Sequence, residues 1–294
     1  MIDSFKKFYR QIFQGKLFVI KVSGQIITDT DARENLIKNI KELIEDNINV
    51  LLIYGGGAAI DEALKDANLD IHKIDGRRIS SKQDIKVIKK TLAGDLGFKI
   101  LESLVKEKLP SNMLNALPPH WGYSKRREDI DGMERYDGTV QDINANAVKE
   151  HFISTNLAVF PCLAFTDQGT ALNINADNMA VTLATQINAD KLILITNIDG
   201  VQKNNETISV LTASESQKMI DDDVAVGGMR VKLENCIYAL RNGVKRVHII
   251  NGFTKNSLCD EVYSTGGVGT MIVREKEKQK YFKEELENSG DANE

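Results

Sequence analysis

Short apolar runs alternate along this chain with segments of helical period, and no other feature constrains its fold as much. Leu17-Phe18-Val19-Ile20-Lys21-Val22 is nearly continuous and apolar, the pattern of a strand buried on both faces. Asp31 to Asn47 then carries Leu36, Ile37, Ile40, Leu43 and Ile44 at helical spacing, with Asp31 and Glu34 placed as a capping box. Val50 to Tyr54 reads as a second buried strand. Gly55-Gly56-Gly57 follows it, then a helix with Ile60, Ala63, Leu64 and Ala67 on one face. A βαβα start of this kind needs a parallel sheet covered by helices.

The pattern loosens and then returns. Residues 82 to 107 predict a helix that Gly94 and Gly97 break or pack, and residues 110 to 145 predict hairpins and loops. Leu157 to Phe165 and Lys191 to Thr196 read as strands, Ala176 to Ile187 and Met229 to Arg241 as helices. Arg246 to Ile250 and Thr270 to Val273 close the sheet, and the two halves share it, with a division near residue 170. Beyond Val273 the chain is highly charged, the composition of a solvated helix that frays. The expected fold is α/β, a three-layer α/β/α sandwich around a mainly parallel open sheet, preceded by an N-terminal helix.

Composition excludes several functions. A net charge of −4 over 294 residues leaves no broad basic coat for nucleic acid. No run approaches the roughly 20 apolar residues of a membrane span. Cys162, Cys236 and Cys259 are odd in number and widely spaced, so they read as reduced, buried thiols of a cytoplasmic protein. The four histidines show no ligand spacing, and no protein-built metal site is expected.

Four places could carry chemistry. Lys21 ends a buried strand, where a ligand binds in open α/β sheets; its alternative is a lysine that snorkels to the surface. Gly55, Gly56 and Gly57 open a helix, so their amides could cradle a phosphate or simply form a tight turn. In Asn173-Ile174-Asn175-Ala176-Asp177 the polar groups either cap the next helix or position cations and touch a substrate. Gly227-Gly228-Met229-Arg230-Val231-Lys232 places Lys232 in a first helical turn, a position that favours a nearby anion.

Together these residues resemble the amino acid kinase family, and within it the acetylglutamate kinase branch most. The segments are VIKVSG (19–24), IYGGGAAIDEAL (53–64), DGRRIS (75–80), LNINADNMAV (172–181), KLILITNIDGV (191–201), GGMRVK (227–232), GVKRVHIING (243–252) and GGVGTMI (266–272). They run in family order and cover residues 8 to 273. The resemblance implies ATP-dependent phosphorylation of the side-chain carboxylate of N-acetyl-L-glutamate, a step of arginine biosynthesis. It implies Lys21, Lys232 and Asp177 as catalytic residues, with Asp177 holding both lysines. It implies phosphate binding by Gly24, Gly55, Gly56 and Gly57, and substrate binding by Arg78, Asn173 and Asn175. Thr196, Asn197, Gly200, Gly228 and Met229 would bind the nucleotide. Mg²⁺ would be held by ATP phosphates and water rather than by the protein.

The implied division is residues 1–15 as an N-terminal helix and oligomerisation element, 16–170 as the acceptor and phosphate lobe, 171–275 as the nucleotide lobe, and 276–294 as the charged tail. The implied partners are the acylated amino acid, ATP and further copies of the chain, as a dimer or hexamer. The stripe Phe5, Phe8, Tyr9, Ile12 and Phe13 would either interlace subunits or pack on its own domain.

Three departures from the family pattern keep alternatives open. Ser23 stands where the family has glycine, and a positive φ there would strain it. Residues 93–98 lack the usual Asn-Lys pair, and 117–138 replaces a glycine-rich stretch; both are expected to shape the acceptor pocket. Lys125, Arg126 and Arg127 would either serve a more acidic acceptor or sit in a solvated loop. The alternatives are therefore a kinase-fold protein with a different acceptor, or a catalytically impaired nucleotide-binding regulatory protein.

Overall fold

The computed structural model describes residues 2–74, 76–130, 132–204, 206–264 and 266–280. Its strands are β1 (Leu17–Val22), β2 (Asn49–Tyr54), β3 (His72–Ile74), β4 (Arg77–Ile79), β5 (Asn112–Met113), β6 (Gly122–Arg126), β7 (Asp137–Ile143) and β8 (Leu157–Pro161). They continue as β9 (Leu163–Phe165), β10 (Ala171–Ile174), β11 (Lys191–Thr196), β12 (Gln202–Lys203), β13 (Glu206–Thr207), β14 (Val210–Thr212), β15 (Arg246–Asn251) and β16 (Thr270–Val273). Eight of them form one sheet in the order β14-β16-β15-β11-β1-β2-β8-β5. From β5 to β15 every pairing is parallel, and only β16 runs antiparallel to its neighbour β15.

The central strands are apolar because helices cover both faces of the sheet. Phe18, Val19, Ile20, Leu51, Leu52, Ile193 and Val247 are buried. One layer packs Thr30–Glu45 against Gly97–Lys106 and Ser257–Tyr263. The other packs Ala176–Gln186 on β1, β2 and β11, with Gly227–Arg241 against it. A four-stranded sheet, β6-β7-β10-β9, stands beside the main one and carries the residue 117–143 region as a hairpin.

Several local expectations change. The helix Thr30–Glu45 is capped by Asp29, whose side chain accepts from the Ala32 amide at 2.9 Å; the Asp31/Glu34 box does not form, because a short helix, Gly24–Thr28, ends immediately before it. The 82–107 helix divides into Asp84–Lys89, a π-helical stretch Lys90–Leu96 and Gly97–Lys106. The helix Gly227–Arg241 starts two residues earlier than its apolar periodicity suggests, so Lys232 lies in its second turn rather than its first.

The N-terminal stripe splits. Tyr9 and Phe13 are buried, with Phe13 stacked edge-on to Phe18 at 5.4 Å, while Phe8 and Ile12 remain 42% and 41% exposed. The Phe5 side chain lies outside the description. Of the charged tail, Glu275–Lys280 is helical, and 281–294 lies outside the described residues. All three cysteines are free and buried. Among the described residues no helix is long and apolar enough to cross a membrane.

Candidate active site

Parallel packing puts the carboxyl ends of β1, β2, β8 and β11 on one edge, and the loops leaving them meet there. Two of those loops nearly touch. A Cβ added to Gly24 would sit 2.7 Å from the Gly56 Cα and 2.9 Å from the Gly55 carbonyl oxygen. Gly24 therefore lets two backbones approach as no other residue could. Gly56 is wedged the other way, where a Cβ would meet Leu92 at 2.7 Å and Leu96 at 2.8 Å. Gly57 has no such neighbour; a Cβ there would enter open space.

These loops line a pocket of about 320 Å³. Lys21, Gly24, Gly55, Gly56, Gly57, Arg78, Asn173, Asn175 and Asp177, all singled out from sequence, line it together. Lys21 reaches it from the next-to-last residue of β1 and does not snorkel to the surface. Its Nζ lies 2.8 Å from Asp177 Oδ1, and both side chains are largely buried. Asp177 occupies the first turn of Ala176–Gln186, which Asn175 caps by accepting from the Asn178 amide at 3.0 Å. Burial alone would push the Asp177 carboxyl up. Lys21 and then Lys232 outweigh it and hold the carboxyl below the usual carboxylate range. Lys232 makes no direct ion pair among the described residues, yet its charge acts on Asp177.

Arg78, on β4, donates from Nη2 to Asp61 Oδ1 at 2.5 Å and to the Gly57 carbonyl at 3.2 Å. Its Nη1 is buried without a partner among the described residues. A buried guanidinium with spare donor capacity suits a carboxylate. Asn173 donates to Ser80 Oγ at 3.2 Å and lines the same pocket. Burial keeps the Cys162 thiol neutral by pushing it up to about 12.

Sequence reasoning missed part of the site. Asp61 anchors Arg78 and Lys73 together, and ionises below its ordinary value because those two cations overcome its desolvation. Asp137 is buried and accepts from Nε and Nη2 of Arg135, with Arg127 further off at 3.7 Å. Arg78 meets Asp61, and the Ser80 amide donates to Asp137 Oδ1 at 3.3 Å, contacts that only the tertiary fold reveals. Of the basic run, Arg127 reaches the pocket, Arg126 pairs with Glu134 at 2.6 Å, and Lys125 does not line it. The 91–98 segment contributes no lining residue; Leu92 and Leu96 fill the space where a Gly56 Cβ would fall, and the Leu92 carbonyl accepts from the Tyr54 hydroxyl at 3.0 Å.

Thr196, Asn197, Gly200, Gly228 and Met229 do not line this pocket. Thr196 ends β11 beside it, and the Ser23 amide donates to the adjoining Ile195 carbonyl at 3.1 Å. Gly200 has a φ of +137°, and a Cβ would strike Thr270 Oγ1, which accepts from the Val201 amide. No group of three or more His, Cys, Asp or Glu side chains could hold a metal among the described residues.

The chain is similar to several known proteins. It is 32% identical over 276 residues to an acetylglutamate kinase of Halothermothrix orenii, covering 91% of this chain and 94% of that protein. It is 31% identical over 278 residues to an acetylglutamate kinase of Methanocaldococcus jannaschii, covering 90% and 93%. Its fold is similar to that of N-acetylglutamate synthase from Neisseria gonorrhoeae, with a TM-score of 0.85 at 22% identity; the match covers 93% of this chain and 63% of the synthase chain. It also resembles carbamate kinase from Giardia lamblia, with a TM-score of 0.63 at 16% identity, over 89% of this chain and 99% of that one. The model of the amino acid kinase family matches residues 16–251, and the chain belongs to that family.

Proposed function

We propose that the protein transfers the terminal phosphoryl group of ATP to the side-chain carboxylate of N-acetyl-L-glutamate, giving an acyl phosphate and ADP. The observation that carries this reading is the Lys21–Asp177 pair at 2.8 Å, set beside two glycine loops in contact. The relatives that match over nine-tenths of the chain and bear the name acetylglutamate kinase support the same acceptor.

The chemistry asks for positioning and charge neutralisation, since a carboxylate is already a nucleophile. One carboxylate oxygen forms the new bond to phosphorus as the bond to the leaving phosphate oxygen breaks, and no proton changes place. Lys21 and Lys232 offset the charge on the moving group, and Asp177 holds them convergent. The amides of Gly24, Gly56 and Gly57 take its oxygens. Arg78, whose Nη1 has no partner among the described residues, and Asn173 hold the acceptor's other carboxylate. Asn175 caps its helix and lines the same wall. Mg²⁺ bound to the nucleotide phosphates supplies further charge neutralisation, consistent with a site built of lysines and amides rather than of clustered acids. Thr196, Asn197, Gly200, Gly228 and Met229 form the nucleotide side of the edge. On this reading residues 16–170 are the acceptor lobe and 171–275 the nucleotide lobe. The protein works in the cytoplasm, in arginine biosynthesis. The exposed Phe8 and Ile12 suit an N-terminal helix shared between copies of the chain.

A second reading, a more acidic acceptor, rests on Arg127. It lines the pocket and is held only loosely, because Arg135 already takes both Asp137 oxygens. ADP release should be measured with MgATP and N-acetylglutamate, glutamate, N-acetylaminoadipate or no acceptor. Turnover that depends on N-acetylglutamate and disappears in Lys232→Ala is the expected result. Turnover with another acid alone supports the second reading, and ATP binding without any turnover sinks both.

A further inference from the structure

Ser23 stands between Lys21 and Gly24, where the family resemblance leads one to expect glycine. The backbone does not need glycine there: φ is −74° and ψ 149°, ordinary extended geometry for serine. Strain therefore gives no ground for reading Ser23 as a defect. Its hydroxyl is the unusual part. Ser23 is the N-cap of Gly24–Thr28, a position where serine normally accepts from an amide one turn on. It makes no such bond, and the Ile26 amide donates instead to the Ser23 carbonyl oxygen at 3.1 Å. The Oγ is buried and has no hydrogen-bond partner among the described residues. Buried polar groups left unpaired are rare and costly, and they concentrate where a ligand completes them.

The place of this hydroxyl indicates what completes it. Ser23 lines the same pocket wall as Lys21, Gly24 and Asp177. Its amide is tied to the Ile195 carbonyl of β11 at 3.1 Å, so the residue is fixed at the junction of β1 and β11. A serine side chain has one rotatable carbon torsion and one O–H donor. Of the groups beside it on that wall, Lys21 and the Gly24 amide are suited to an anion, and the Asp177 carboxylate is taken up by its ion pair with Lys21.

We infer that Ser23 Oγ donates a hydrogen bond to an oxygen of the phosphoryl group in flight, as a catalytic residue beside Lys21 and the Gly24 amide. The inference rests on the reading of this pocket as a phosphoryl-transfer site. As the carboxylate oxygen bonds to phosphorus and the leaving oxygen departs with its electron pair on ADP, Ser23 keeps its proton throughout. Its bond strengthens as charge gathers on the equatorial oxygens.

The test compares Ser23→Ala, Ser23→Gly and Ser23→Thr with the unaltered chain. Ser23→Ala should lower kcat on the order of 100-fold, the lower end of what loss of one oxyanion donor costs, with both KM values within about threefold. Ser23→Thr, which keeps the hydroxyl, should recover most of that loss. Ser23→Gly should match Ser23→Ala and guards against any effect of the methyl group. Thermal melting should show all three folded. A second readout needs no turnover: titration with MgADP and aluminium fluoride, a planar mimic of the moving group. Ser23→Ala should bind that complex about tenfold more weakly while binding MgADP alone equally well. Equal affinity for the fluoride complex, or an equal loss for MgADP alone, overturns the inference. An unaltered chain that binds the fluoride complex yet turns over none of the acceptors refutes the proposed acceptor, and Ser23 is then judged by the binding ratio. An unaltered chain that does not bind the complex overturns the inference itself.

Discussion

Two lysines are buried in adjacent strands of one sheet, and their surroundings differ. Lys21 sits near the carboxyl end of β1 and Lys191 opens β11 at the opposite edge. Lys191 Nζ lies 3.1 Å from His248 Nε2, and the His248 Nδ1 lies 2.6 Å from Glu261 Oε1. Glu261 Oε2 accepts in turn from the Val268 and Gly269 amides at 2.8 and 3.0 Å. The Lys191 ammonium also stands over the Phe13 ring at 4.7 Å. Charge, ring and carboxylate thus form a chain whose members all have partners. Around Lys21 the partners do not close the chain: among the described residues Ser23 Oγ and Arg78 Nη1 lack partners, and the glycine loops face a pocket. A buried charge that is satisfied adds to the fold; one in unsatisfied company at the carboxyl edge is available for chemistry.

The sharpest way to break that contrast is to remove each charge. On the proposed function, in which they offset charge that develops in transfer, Lys21→Met and Lys232→Ala should each lower kcat by on the order of 10³-fold, with nucleotide affinity changed far less. Lys191→Met should keep kcat within about threefold and lower stability by about 3 kcal/mol, the cost of leaving a buried partner unpaired. Steady-state kinetics and chemical denaturation on the three variants decide it. If Lys191→Met lost activity as Lys21→Met does, without loss of stability, the contrast would fail.

Much of the Lys21 side was legible in the sequence. Strands buried on both faces read as apolar runs, so β1, β2 and β11 were found almost to the residue. Glycines at strand ends and Asp177 after Asn175 are local signals too. The rest depends on tertiary register. Asp61 looks like any acid of an amphipathic helix until β4 lays Arg78 beside it. Asp137 acquires meaning only through Arg135 and the β6 pairing. The π-helical stretch carries helical periodicity like its neighbours, so its extra residue per turn is invisible beforehand. The Asp29 cap was hidden because Asp31 and Glu34 offered the same chemistry two residues on.

The glycine loops provide the next test, since their two kinds of glycine should respond differently. Gly24→Ala puts a methyl group into backbone at 2.7 Å and should cost about 2 kcal/mol of stability together with most activity. Gly57→Ala meets nothing and should leave the melting temperature unchanged while weakening nucleotide binding. Melting curves and nucleotide titrations separate the two; equal stability loss would mean that the Gly57 loop is not free for a ligand.

Arg78→Ala should raise the acceptor KM about 10- to 100-fold, the loss of a charge-assisted pair, with little change in KM for ATP. Arg127→Ala should raise it less, about threefold for N-acetylglutamate. A larger effect of Arg127 than of Arg78 would move the acceptor's anionic end towards the β6/β7 hairpin and favour a more acidic substrate.

The smallest effect belongs to the closed cluster and is read by pH. Burial, then the charge of Lys191, lowers the His248 pKa to about 4 against the opposing pull of Glu261, so His248 is neutral in the folded protein. Unfolded, it returns to about 6.5 and binds the proton that the folded state refuses. Its contribution to stability is therefore complete above pH 6.5 and is lost as pH falls from there towards 4. Between pH 7.5 and 5.5 the loss should be about 1 kcal/mol, measured by urea unfolding at fixed salt. Desolvation raises the Glu261 carboxyl, but its bond to His248 and the Val268 and Gly269 amides hold it below 4.5, so its own loss comes only at lower pH. His151, also lowered by burial, titrates in the same window, and the difference between the unaltered chain and His248→Gln isolates His248. His248→Gln should be less stable at pH 7.5 and should flatten the slope. An unchanged slope would mean that His248 is not the group titrating, and the cluster would lose its standing as the closed counterpart of the Lys21 site.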